Sequence, residues 1–182
     1  NATRLSMIKE VYFPIFEIAS TCAARLDRIK ELFSSAASTG EEDLVINAQE
    51  QAIIMIERFK LLTKLEPHRK QDIDSLSVSF QEYFNSAQAL SLEIIRNQRS
   101  TDDPAISQKI SKMQALLEQT QKQLNTFRKY SYENFIATID EANRTNAIGL
   151  RLGAIVGILT VVFIILASLT VGASIEKKPS PF

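Results

Sequence analysis

RLSMIKEVYFPIFEIASTCAARLDRIKELFSSAAST, residues 4–39, places Ile8, Ile15, Cys22, Ile29 and Ala36 seven apart, with Tyr12, Ala19, Leu26 and Phe33 at the companion positions. Apolar residues at this spacing line one narrow face of an α-helix, which must be covered by other helices. The stretch therefore predicts a long helix in a bundle. Pro14 interrupts it, since proline supplies no N–H and crowds the preceding turn, but the seam resumes in the same register beyond it.

Three more runs follow, each set off by turn chemistry. Thr39-Gly40 marks the first corner, and Glu41, Glu42 and Asp43 place negative charge where the exposed amides of a helix start favour it. Ala48, Met55 and Leu62, interleaved with Ala52 and Phe59, carry the second seam. Pro67 supplies the second corner, and the third seam reads Ile73, Phe80, Ala87 and Ile94 with Leu76, Tyr83 and Leu90 between them. At the third corner Asp103 is a candidate N-cap and Pro104 suits the first helical position. The last seam uses Ile106, Met113 and Phe127 with Ile110, Leu117 and Leu124; Phe135, Ile139 and Ala142 then stand displaced, which predicts a local change of helical register between Phe127 and Phe135.

At 1.5 Å per residue the four runs rise and fall by roughly 57, 36, 46 and 67 Å, so the chain returns near its starting height. The expected fold is all-α, an elongated antiparallel up-down-up-down four-helix bundle, with the hairpin between the second and third helices stopping short of the other ends.

No proline or strong turn signal separates the fourth run from residues 152–175, which carry no charge. A helix of that length is about 36 Å long, enough to cross a hydrocarbon layer of roughly 30 Å with some tilt. The expected organisation is a helical domain at 1–147, a transmembrane helix at 148–175 and a linker at 176–182. Gly149, Gly153 and Gly157 form two overlapping Gly-x-x-x-Gly spacings. Such a ridge lets helices approach closely in a membrane, so these three glycines are candidates for helix packing within a subunit or across a homodimer interface. Lys177 and Lys178 flank one end of the run and Arg144 and Arg151 the other, so charge alone sets no orientation. The first residue is Asn1, which reads as the start of an excised segment or of a processed chain.

Taken in order, Tyr12-Phe13-Pro14, residues 35–44 (Ser-Ala-Ala-Ser-Thr-Gly-Glu-Glu-Asp-Leu) and residues 83–91 (Tyr-Phe-Asn-Ser-Ala-Gln-Ala-Leu-Ser) resemble the periplasmic sensor regions of bacterial histidine kinases and related transmembrane receptors, over almost the whole chain. The resemblance implies a sensor of the inner membrane, with 1–147 in the periplasm and the C-terminal end in the cytoplasm. It further implies signal transmission to an output module absent from this segment: a histidine kinase, a chemotaxis receptor or a diguanylate cyclase, in that order of preference. The alternative is a tail-anchored helical tether or a fusion-type interaction protein. Expected partners are a second copy of the chain, a small-molecule ligand or periplasmic partner protein, and membrane lipids.

Chemistry within the segment finds few candidates. Residues 1–147 hold 18 Lys and Arg against 20 Asp and Glu, without a basic face, which argues against nucleic-acid binding. One cysteine and one histidine fall short of a disulfide or a zinc constellation, and neither a phosphate loop nor a nucleophile-base motif occurs. No catalytic residue, metal or cofactor is therefore assigned, and the segment is expected not to be an enzyme. Cys22 reads as a core residue and His68 as a surface or capping residue. Arg25 borders the Cys22-Leu26 step of the seam, near the estimated heights of Met55, Phe80 and Leu124, and is the candidate contact for an anionic ligand; a solvated helix face is the other reading. Arg69, Arg96 and Arg99, near the corners, are either partner contacts or solubilising helix-end charges.

Overall fold

A computed structural model describes the backbone of residues 6–97 and 103–176, and side chains through residue 144. Four α-helices follow one another: α1 (Phe13–Thr39), α2 (Glu42–Leu65), α3 (Lys70–Asn97) and α4 (Pro104–Glu176). A π-helical turn, Ile8–Tyr12, leads into α1, and a 3-10 turn, Pro67–Arg69, joins α2 to α3. Sequential helices pack on one another, and α1 also packs on α3 and α4, which closes an antiparallel four-helix bundle.

The seams account for the core. Ile15, Ala19, Cys22, Leu26, Ile29, Phe33 and Ala36 of α1 are buried, as are Ala48, Ala52, Met55, Phe59 and Leu62 of α2. From α3 come Ile73, Leu76, Phe80, Tyr83, Ala87 and Leu90, and from α4 Ile106, Leu117, Leu124 and Phe127. Aromatic rings tie three helices together: Phe33 lies 5.3 Å from Phe84, Phe84 6.2 Å from Phe80, and Phe80 5.9 Å edge-on from Phe59.

The corners follow their local chemistry. Gly40 takes φ +78° and donates its N–H to the Ala36 carbonyl at 2.9 Å, closing α1 in the left-handed conformation that glycine enters without steric cost. A Cβ built there meets nothing within 4 Å, so only the backbone conformation opposes a side chain. Gly40→Ala is accordingly expected to cost about 1 kcal/mol, read as a lower urea midpoint with an unchanged denaturant slope. At the third corner Asp103 Oδ1 accepts the Ala105 N–H at 2.9 Å and α4 opens on Pro104. The capping expectation holds there.

Helix α4 runs unbroken from Pro104 to Glu176, so the expected change of register is corrected. Its buried seam passes instead through polar residues, Thr120 at 0 % and Ser131 at 2 % exposure. Their hydroxyls donate to the carbonyls of Leu116 at 2.8 Å and Phe127 at 2.9 Å, one turn back, which satisfies them inside the core.

The expectation of a transmembrane continuation at 148–175 is also corrected: among the described residues no helix is long and apolar enough to cross a membrane. Where side chains are described, through residue 144, the helices bury most of their apolar residues on one stripe and interleave charges along the rest. The structure supports the bundle alone. Sensing coupled to transmission, the tail-anchored tether, and an inner-membrane location with periplasmic and cytoplasmic sides all required that span, and they lose their structural premise with it. The histidine-kinase and chemotaxis roles lose the same premise. The uncharged run itself, with Gly149, Gly153 and Gly157, lies outside the residues whose side chains are described.

Candidate functional site

Three structural accidents of the sequence meet at one end of the bundle. The first is Pro14. An α-helix would ask residue 14 to donate to the Glu10 carbonyl, which proline cannot do. The backbone widens instead, and the Phe13 N–H bonds to the Ile8 carbonyl five residues back. This π turn sets the rotation at which Tyr12 meets the bundle. Restoring an N–H with Pro14→Ala is expected to let the turn revert to α-helix, rotating the preceding residues by about 100°. Tyr12 would then leave its neighbours, which would appear as loss of nuclear Overhauser contacts from its ring to α4.

The second is Glu66. Proline disfavours a helical conformation in the residue before it, and Glu66 takes φ −127°, ψ 64°. Its N–H still reaches the Leu62 carbonyl at 2.8 Å, and its own carbonyl accepts from Arg69 N–H at 3.0 Å. The side chain is thereby turned inward at a corner and is only 4 % exposed. His68 Nε2 stands 3.3 Å from Glu66 Oε2, within ion-pairing distance, but the two are not aligned as a hydrogen bond, and Oε2 has no hydrogen-bond partner.

The third is the run of polar seam positions on α4. Tyr130, Asn134, Thr138 and Glu141 descend the helix at three- or four-residue steps, and with Tyr12, Glu66 and His68 they line a cavity of about 260 Å³. Glu66 and His68 both line it, and Glu66 Oε2 is itself a buried atom. Thr138 donates its hydroxyl proton to the Asn134 carbonyl at 2.7 Å and keeps lone pairs available. Beside the cavity Phe16 stacks on Phe135 at 5.9 Å with the rings 4° from parallel, and Phe13 lies 5.9 Å from the same ring. These contacts fix the start of α1 against α4.

Arg69 closes the corner from the other side. Its guanidinium lies 4.0 Å from the Tyr130 ring centroid and 4.9 Å from that of Phe127, and it pairs with Asp72 at 2.9 Å. It lines a neighbouring cleft of about 360 Å³ with Gln119 and Gln123, whose amides donate to Ser79 at 3.0 Å and Ser75 at 3.2 Å. Two polar atoms here, Arg69 Nη1 and Gln123 Oε1, are buried without partners. A third cleft, about 560 Å³, lies between α1, α3 and α4 and is mostly apolar, bounded by Phe33, Tyr83, Leu90, Met113 and Leu117, with Lys30 and Gln114 as polar members.

The residues singled out from the sequence do not converge. Arg25 reaches across to α2 and donates to Gln51, and it lines none of these three clefts. Cys22 is fully buried, and desolvation pushes its thiol up to about 12 despite the opposing charges of Arg25 and Arg58, which suits a core side chain and not a nucleophile. Arg96 pairs with Glu42 at 3.0 Å on the surface, a bond that holds the Glu42 carboxyl below its ordinary range. Arg99 lies outside the described residues. His68 is exposed as expected, yet it borders the cavity. Glu66 and Tyr130 were not marked by any motif, and Tyr12 was marked only as a seam position and in the Tyr12-Phe13-Pro14 segment; the available signal was a carboxylate directly before the corner proline, opposite a seam that turns polar.

No family model, curated protein or solved structure matches the chain. The four-helix bundle stands on the structure, while the likeness to periplasmic sensor regions rests on the quoted sequence segments alone.

Proposed function

We propose that this chain is a binding module and not an enzyme, and that the cavity where α1, the Pro67 corner and α4 meet holds a small ligand. One observation carries the reading: Glu66, 4 % exposed, keeps a carboxylate oxygen without a hydrogen-bond partner beside a polar cavity. Withdrawing a carboxylate from water is costly unless it is paired or hydrogen-bonded. A fold keeps such a group when something else completes it, and perturbed or unsatisfied polar groups in a concave site are the usual mark of binding.

A binding role is distinguished from a purely structural one by saturable ligand effects. In a mixed set of cationic, anionic and neutral fragments followed by backbone amide resonances, at least one class is expected to shift Glu66, His68, Asn134 and Thr138 together and saturably. A ligand at a hundred times its dissociation constant would stabilise the fold by about 2.7 kcal/mol. Scattered, non-saturating shifts from every fragment would overturn the reading.

A further inference from the structure

Resting on that binding site, we infer that its ligand is a small organic cation carrying a primary ammonium group. Glu66 supplies negative charge from a position already withdrawn from water, where an attraction is screened less than at the surface. Its Oε2 makes no hydrogen bond within the protein, the contact with His68 at 3.3 Å lacking that alignment, so an ammonium drawn to this carboxylate displaces no existing hydrogen bond.

The rest of the wall favours the same sign. Among the described residues neither lysine nor arginine lines the cavity, His68 being its one basic member, and Glu141 adds a second carboxylate at its exposed rim. Tyr12 contributes an aromatic ring, the Tyr130 ring being already engaged by the Arg69 guanidinium at 4.0 Å, and the Thr138 hydroxyl has committed its proton to the Asn134 carbonyl and can only accept. The guanidinium of Arg69, on the Tyr130 ring, is paired with Asp72 at 2.9 Å.

Alternative occupants fit less well. A metal ion would need several close ligands, and among the described residues no group of three or more His, Cys, Asp or Glu could hold one. An anion would face Glu66 directly. The volume of about 260 Å³ falls below the roughly 300–1,000 Å³ of sites for drug-sized molecules, so the ligand has few heavy atoms. An ammonium brings three donors to a wall whose acceptors include Glu66 and Thr138.

The test is titration of the full chain with 1,4-diaminobutane, 1,4-butanediol and succinate in parallel, read by calorimetry and by amide resonances. The diamine is expected to bind and to shift Glu66, Asn134 and Thr138, with the diol and succinate at least tenfold weaker. Glu66→Gln, which keeps shape and removes charge, is expected to weaken the diamine at least tenfold while leaving the circular dichroism spectrum and cooperative unfolding intact; Glu141→Gln, at the rim, should weaken it less. Equal binding of diol and diamine, or diamine binding unchanged in Glu66→Gln, would overturn the cation assignment. Succinate binding at these same residues would overturn it while sustaining a binding site, and absence of saturable shifts from all three probes would overturn the cation assignment, with the mixed fragment set then deciding the binding reading separately.

Discussion

Phe80→Ala is expected to lower the stability of the bundle by about 3–5 kcal/mol, the range for deleting a fully buried aromatic side chain. Phe80 is 0 % exposed and stands in the middle of the aromatic series, 5.9 Å from Phe59 of α2 and 6.2 Å from Phe84, which in turn meets Phe33 of α1. Its removal costs the transfer free energy of the ring, the edge-to-face contact with Phe59, and the vacancy left between three helices. Against a typical domain stability of about 5–15 kcal/mol this is a large share. Val78, two residues away on the same helix, is 57 % exposed, and Val78→Ala should change stability by less than about 0.5 kcal/mol. Urea denaturation of the two variants and the parent measures both. Similar midpoints for Phe80→Ala and Val78→Ala would show that the aromatic series is not packed as described.

How far the sequence could be read depends on how local each determinant is. The core of α2 was legible but for Val45 at its start, because the other buried residues, Ala48, Ala52, Met55, Phe59 and Leu62, are apolar at seam spacing and nothing interrupts them. The lower part of α4 was not. Thr120 and Ser131 occupy seam positions, and a reading that counts only apolar residues sees a displacement where the helix is regular. Their hydroxyls are made acceptable by carbonyls one turn back, a compensation that sequence spacing does not reveal. Pro14 was legible as a disturbance but its outcome was not, since a bend and a π turn both relieve the missing N–H. Glu66 was invisible for a stronger reason. Its burial arises from the Pro67 corner, the π turn and α4 meeting in space, residues far apart in the chain, whereas Arg25 stood out by sequence position and found its partner in Gln51.

Alkaline solution should expose a second consequence of the core. Cys22 is fully buried and its thiol is pushed from 9.0 up to about 12, chiefly by desolvation. Tyr83 is 1 % exposed, and burial together with the charge of Asp27 raises its phenol well above the ordinary 10.0. In the unfolded chain both groups lose their protons near the ordinary values, while the folded chain holds them. Between pH 9 and 12 the unfolded state therefore binds fewer protons than the folded state, and stability falls as pH rises. The contribution is fully present below pH 9 and is lost as pH climbs through the folded value. For Cys22 the interval from 9.0 to about 12 corresponds to a loss on the order of 4 kcal/mol at its upper end, with Tyr83 adding to the slope above pH 10. Urea denaturation at pH 7, 9, 10 and 11 is expected to show this decline in the parent. Cys22→Ala should flatten it from pH 9 upward and Tyr83→Phe only from pH 10 upward, whatever each substitution costs at pH 7. A parent whose midpoint is constant from pH 7 to 11, or variants whose pH dependence parallels it, would show that these two side chains are reached by water in the folded bundle.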